Sequence, residues 1–184
     1  MKLHWARFNH FLVVSLLCVL AWGCNSPGAG GGKKEQCRKS DATSLAVFQE
    51  ASADGRGGGT PVPISREQRV PVYIERAPIL DDGVVQEAAV VEVYDGFAIQ
   101  VRFTFHGTLA LQAATATKRG SRLAIWARWT EELWLAAPLI ARTIDDGILT
   151  FTPDATRQEA ERIVRGLNNM AEKLGNKPKP KKKQ

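Results

Sequence analysis

Histidine and cysteine are scarce in this chain, and where they fall excludes whole classes of chemistry. There are three of each among 184 residues. His4 and His10 lie in a leader-like start, so His106 is the only histidine beyond residue 23. A metal site built on several histidines is excluded, and no triad or dyad is read around His106, which has the setting of a turn or helix-start residue. Cys18, Cys24 and Cys37 all precede the stretch that patterns as folded, so no disulfide framework supports the core. Long apolar runs are missing too. Residues 11–22 (FLVVSLLCVLAW) are apolar apart from Ser15. As a helix they would span roughly 18 Å, well short of a bilayer core of about 30 Å.

Other absences narrow the field further. Gly30-Gly31-Gly32 and Gly57-Gly58-Gly59 are not followed by Gly-Lys-Ser/Thr and a helix, which a phosphate loop requires. Asp81-Asp82 has no third carboxylate or histidine at ligand spacing, so helix capping is its expected role. Glu131, Glu132, Asp145 and Asp146 fall at turns with no partner base. No catalytic, metal or cofactor-binding residue is assigned, and the chain reads as a non-enzyme.

The formal net charge is +6, but it is unevenly placed. Lys2 and Arg7 supply two of the charges and the five lysines of residues 175–184 five more, which leaves −1 for residues 24–174. A nucleic-acid-binding domain spreads Lys and Arg over a folded face, so nucleic acid is not an expected partner. The Lys/Pro-rich tail, residues 173–184, reads as solubilising, or as a weak and salt-dependent contact with anionic lipid headgroups or wall-associated polymers.

What is present begins with an export signal. Lys2 and Arg7 precede the short apolar run, and Asn25-Ser26-Pro27-Gly28 breaks any continuing helix. Leu20-Ala21-Trp22-Gly23-Cys24 resembles the lipobox of a bacterial lipoprotein, with Gly23 well suited to its place and Trp22 bulky for its own. The resemblance implies that residues 1–23 are a signal peptide. It implies too that Cys24 is the lipidated first residue (palmitate among the acyl chains) and that the protein is anchored to a membrane of the cell envelope, facing the periplasm or the outside. Several acyl chains anchor stably, because each buried methylene contributes about 0.8 kcal/mol. An uncleaved anchor and an ordinary secretory peptide are the other readings, and both carry the domain across the membrane.

Residues 24–66 are expected to form a flexible Gly/Pro-rich linker. Residues 44–49 (SLAVFQ) are the exception, with the pattern of a short strand or a helical turn. The folded domain is expected over residues 67–172. It opens with a strand at 69–75, where Pro71 belongs at the start or on an edge. A turn and short helix follow, capped by Asp81 or Asp82. Strands at 88–94 and 97–105 form a hairpin around Asp95-Gly96, with Phe97, Ile99, Val101, Phe103 and Phe105 on one face. A small-residue helix at 107–118 ends at Gly120. A strand at 122–129, an extended run at 133–143 bent by Pro138, and a strand at 148–152 come next. Thr156 and Glu159 then form a capping box for a helix whose stripe includes Ala160, Ile163, Leu167 and Ala171.

Gly120 to Ile125, Ala137-Pro138-Leu139-Ile140, the turn through Gly147, Ile148 to Phe151 and the helix opening at Thr156 resemble, in order and spacing, SecD. The resemblance is to the head part of the first periplasmic domain of that export-accessory subunit and covers about residues 78–170. It implies an α+β fold, ferredoxin-like, in which an antiparallel sheet carries two helices on one face. It also implies partners among translocon subunits or exported polypeptides. The transmembrane helices and proton-conducting aspartate of full SecD proteins have no counterpart in this sequence. Trp126, Trp129 and Trp134 gather at one hairpin and are the candidate protein-binding residues. They either complete the core and cover the sheet or form an exposed aromatic patch. Two functions follow: a non-enzymatic protein- or peptide-binding module on a lipid-anchored envelope protein, linked to export, or a purely structural envelope lipoprotein.

Overall fold

Alternation of apolar side chains makes the first strand and also decides its place. β1 (Ser44–Gln49) turns Leu45 and Val47 to one side and Ala46 and Phe48 to the other, so both of its faces are apolar and both are covered. In the computed structural model, which describes residues 42–51, 59–64 and 70–177, β1 is an inner strand. It pairs antiparallel with β7 (Leu123–Arg128) from Ser44 opposite Arg128 to Gln49 opposite Leu123. Its other side holds β4 (Leu80–Asp81), and β8 (Glu132–Ala136) completes the sheet in the order β4-β1-β7-β8.

A separate hairpin of β2 (Thr60–Ile64) and β3 (Val70–Ile74) forms a two-stranded sheet. It turns Val62, Ile64, Val72 and Ile74 inward onto Ala124, Phe48 and Trp134, and so covers the back of the four-stranded sheet. Pro61, Pro63 and Pro71 are exposed, and Pro63 stands opposite Pro71. A two-stranded sheet tolerates them because each of its strands is an edge. The expected linker of residues 24–66 therefore gives way to structure at 44–49 and 60–64. The prolines suggested a linker, but the residues alternating with them are apolar and buried. Cys24, Cys37 and the lysines after Lys177 lie outside the described residues.

Three strands make the facing sheet: β5 (Val85–Val93), β6 (Gly96–Phe103) and β9 (Ile148–Phe151), in the order β5-β6-β9. Val93 pairs with Gly96, so the hairpin loop is Tyr94-Asp95, one residue earlier than expected, and Gly96 supplies a φ of 139°. β6 stops at Phe103. Phe105 is not a further strand residue; it opens α1 (Phe105–Thr117), because the side chain of Thr104 caps that helix by accepting the Gly107 N–H. Gly107 is needed there, since a Cβ would sit 2.8 Å from that of Phe103 and 3.1 Å from that of Val84.

The last helix, α2 (Arg157–Lys173), starts on the expected capping box. Thr156 N–H donates to Glu159 Oε2 at 2.7 Å and Glu159 N–H to Thr156 Oγ1 at 3.3 Å. It ends with Gly175 at a φ of 75°, Gly175 N–H bonding Glu172 O at 3.2 Å and Asn176 N–H bonding Ala171 O at 2.9 Å. Ile163 and Leu167 of α2 and Leu111 of α1 close one core with Leu45, Ile125, Ile99 and Phe151 from the two larger sheets. The class is α+β with antiparallel strands, as expected, and among the described residues there are two α-helices and the strands divide among three sheets.

Candidate functional site

The two edges of the three-stranded sheet are treated differently. On the β5 edge, Ala88 N–H donates to Asn168 Oδ1 at 3.0 Å, and Asn168 Nδ2 donates to Ala88 O at 2.8 Å. Asn176 Nδ2 donates to Gly83 O at 2.8 Å and Val85 O at 3.1 Å just before it. Side chains thus occupy the first part of that edge, at Val85 and Ala88.

The β9 edge is open. Ile99 pairs with Phe151 and Val101 with Leu149, and Phe103 N–H donates to Gly147 O at 2.9 Å. Alternation along an antiparallel ladder then turns the main-chain groups of Ile148 and Thr150 away from β6. Asp146 Oδ1 accepts the Ile148 N–H at 3.0 Å. Among the described residues no partner takes the Thr150 N–H or C=O. These groups border a crevice of about 360 Å³, lined by Gln100, Pro138, Leu139, Arg142, Ile144 and Thr150 among others.

Pro138 builds the opposite wall. β8 ends at Ala136, yet the chain beyond still bonds to the β7 side: Leu123 N–H to Pro138 O at 3.0 Å and Ile140 N–H to Ser121 O at 2.8 Å. Ile140 is buried, whereas Leu139 is 58% exposed at the mouth. A second hollow of about 480 Å³ lies between 135–138 and 151–154, where Asp154 N–H donates to Leu135 O at 2.6 Å. The crevice therefore offers main-chain bonding groups beside exposed apolar carbon, without a cluster of ionisable groups. Among the described residues no group of three or more His, Cys, Asp or Glu is placed to hold a metal.

The three tryptophans do not make one patch. Trp126 stands directly opposite Trp134 on the back of the four-stranded sheet. Trp134 stacks on Phe48 with ring centroids 5.6 Å apart and packs into the core under the β2–β3 hairpin. The Arg128 guanidinium lies 5.6 Å from the Trp126 ring centroid. Trp129 packs against the main core instead. Each ring is half-buried.

The turn carboxylates have local work. Asp81 caps the 3₁₀ turn Asp82–Val84 by accepting the Gly83 N–H at 2.9 Å. Glu132 pairs with Arg128 at 3.6 Å on the surface. Glu92 pairs with Arg157, whose hydrogen bond and charge hold the Glu92 carboxyl below its ordinary range. His106 is exposed, its ring centroid 6.0 Å from that of Phe105.

Sequence reasoning placed Pro138, the 145–147 turn and β9 correctly; it named the hairpin aromatics as candidates and did not consider the β9 edge. The bend at Pro138 was its visible signal.

With this geometry in hand, comparison with known proteins places the fold. No protein-family model matches the chain, and no curated protein does. Solved structures of SecDF do. One, described as a membrane component SecDF that enhances protein export, superposes on 70% of this chain with a TM-score of 0.51 and 19% identity. A second, SecDF in a super-membrane-facing form, superposes on 70% with a TM-score of 0.52 and 18% identity. This chain spans 63% of the first and 19% of the second. The domain has a SecD-like fold, as the sequence resemblance implied. Among the described residues no helix is long and apolar enough to cross a membrane.

Proposed function

We propose that the chain is a lipid-anchored envelope protein whose SecD-like domain binds extended polypeptide along β9 in support of protein export. The observation that carries this reading is the asymmetry of the three-stranded sheet. Asn168 occupies one edge at Ala88, while Thr150 presents open main-chain groups into a crevice on the other. An added strand would exchange backbone hydrogen bonds with Thr150 and rest alternate side chains against Pro138 and Leu139. Backbone pairing reads no sequence, which suits a partner that must accept many exported chains. Likeness to a SecDF component described as enhancing export supports the same direction. Exported polypeptides and translocon subunits are the proposed partners, and lipid on Cys24 the proposed anchor. No enzymatic step is assigned. Trp134 is proposed as framework for the hairpin layer, with Trp126 at its rim, and Trp129 as framework for the main core.

A photo-crosslinking residue placed in turn at Leu139, Thr150 and Trp126 tests this in the envelope. Exported chains or translocon subunits should be captured at Leu139 and Thr150. Capture at Trp126 alone would move binding to the aromatic face. No specific capture at any position would leave a structural lipoprotein. Separately, Cys24→Ala should abolish palmitate labelling and release the protein from membranes.

A further inference from the structure

The wall opposite β9 carries main-chain groups of its own. Arg122 and Leu139 are antiparallel bridge partners. Leu123 N–H donates to Pro138 O at 3.0 Å and Ile140 N–H to Ser121 O at 2.8 Å. These two bonds flank the Arg122–Leu139 pair, so alternation turns the N–H and C=O of Leu139 away from β7. Among the described residues no backbone group takes either of them. They border the same crevice as the open groups of Thr150.

The two walls run in opposite directions. Residues 135–138 line the second hollow with 151–154, and residues 138–142 line the crevice with 148–150. The Asp154 N–H on Leu135 O clasps the walls at one end. Past Pro138 they stand apart, and among the described residues no backbone bond joins them. The floor between them is apolar. Leu123, Ile140 and Leu149 are buried and line it together with half-buried Ile144. A gap edged by main-chain donors and acceptors on both sides, over a hydrocarbon floor, has the bonding pattern of a sheet with one strand missing.

We propose that the crevice is a two-sided slot for one extended segment of an exported chain. Main-chain bonds to Leu139 and Thr150 hold the segment together, and its apolar side chains rest on Leu123, Ile140 and Leu149. The proposal deepens the reading of β9 as a peptide-binding edge and rests on it. Successive residues of a strand turn their main-chain groups to opposite sides, so neighbouring residues of the segment serve the two walls. The walls being antiparallel, the segment lies antiparallel to one and parallel to the other. Side chains alternate between floor and solvent, so the slot selects segments with an apolar residue at every second position. A proline there has no N–H to give and is refused. A second copy of this chain cannot offer its β9, whose open side faces the wall of its own molecule.

Hydrogen exchange of the full-length protein in detergent micelles, read amide by amide by NMR, tests the slot. The probe is the end-blocked peptide Lys-Thr-Val-Thr-Val-Thr-Lys at millimolar concentration. The Leu139 and Thr150 amides should exchange fast in the free protein and both slow about tenfold or more in the complex. Replacing both valines of the probe by glutamine should weaken binding about tenfold or more, since apolar carbon no longer leaves water. Leu139→Pro removes one wall's donor without breaking a bond and should weaken binding more than Leu139→Ala, which removes the side chain alone. An unchanged circular dichroism spectrum confirms the fold of both variants. Slowing at Thr150 alone, or equal binding by the two variants, would overturn the slot and leave the β9 edge standing. Slowing at neither amide would overturn both readings. Equal binding of the glutamine peptide would leave the floor unused and overturn the proposal. Slow exchange at both amides in the free protein would assign the slot to a segment of this chain or, where dilution reverses it, to a second copy, and overturn it as well.

Discussion

The side chain of Asn168 takes both main-chain groups of Ala88, donating at 2.8 Å and accepting at 3.0 Å. One amide on α2 thus does for β5 what a neighbouring strand would do. The bond pair ties the last helix to a strand 80 residues earlier, and it occupies the edge of the three-stranded sheet at Ala88.

Replacing Asn168 with Ala should cost about 2 kcal/mol, because two partly buried backbone groups lose their partner together. Denaturant unfolding measures the loss. Hydrogen exchange at the Ala88 amide should accelerate beyond that at Ala89, which bonds across to Gln100 on the inner side. Equal acceleration at both amides would mean that global stability alone had changed.

Gly166 in mid-α2 runs against the general preference of helices for alanine. A Cβ there would lie 2.0 Å from Thr43 Oγ1 and 2.9 Å from the Thr43 backbone nitrogen. Ala at this position gains up to about 1 kcal/mol in propensity but loses more by pushing the main chain away from the helix, typically about 1–3 kcal/mol. Gly166→Ala should therefore be destabilising in thermal unfolding. A raised melting temperature would contradict the close approach.

Glu92 is held below its ordinary value first by the hydrogen bond from Arg157, with the guanidinium charge adding to it and slight desolvation opposing it. A depressed carboxylate contributes stability at pH above its unfolded value, and the contribution disappears as pH falls through the folded value. Arg157→Gln should move the Glu92 titration, followed by NMR, up toward the ordinary range. Any difference in stability between the two proteins should shrink in acid. A Glu92 titration that does not move in the variant would rule out the pair in solution.

The tryptophans should separate by energetics. Trp134→Ala removes a ring packed on Phe48 beneath the β2–β3 hairpin and should cost about 2–3 kcal/mol. Trp126→Ala should cost about 1 kcal/mol, its ring being half-exposed beside Arg128. Urea midpoints at constant slope distinguish them, and equal costs would place both rings in the same layer.

Features written in adjacent residues were legible from the sequence. Thr156 and Glu159 announced a helix start because both halves of a capping box lie within one turn. Pro138 announced a bend, and the alternation from Phe97 to Phe103 a half-buried strand. Features that depend on distant partners were not. Ser44–Gln49 had a strand pattern, but nothing local says that β7 and β4 would enclose it. Pro61 and Pro63 suggested a linker because composition counts prolines without asking what alternates with them. Nothing next to Asn168 marks its bonds to Ala88, 80 residues away. The candidate site suffered most, since an open edge is defined by what fails to pair with it, and no single residue carries that information.

β1 has a consequence for the order of events in synthesis. It is the first strand to emerge and one of the last to find its partner, since Ser44 must wait for Arg128. Pairings so distant in sequence make folding slow. A chain threaded across a membrane from its N-terminus would deliver β1 early, let it meet β4 first and keep its β7 side unpaired until about two thirds of the polypeptide had crossed. On the proposed export route, the four-stranded sheet would close only when transit is well advanced.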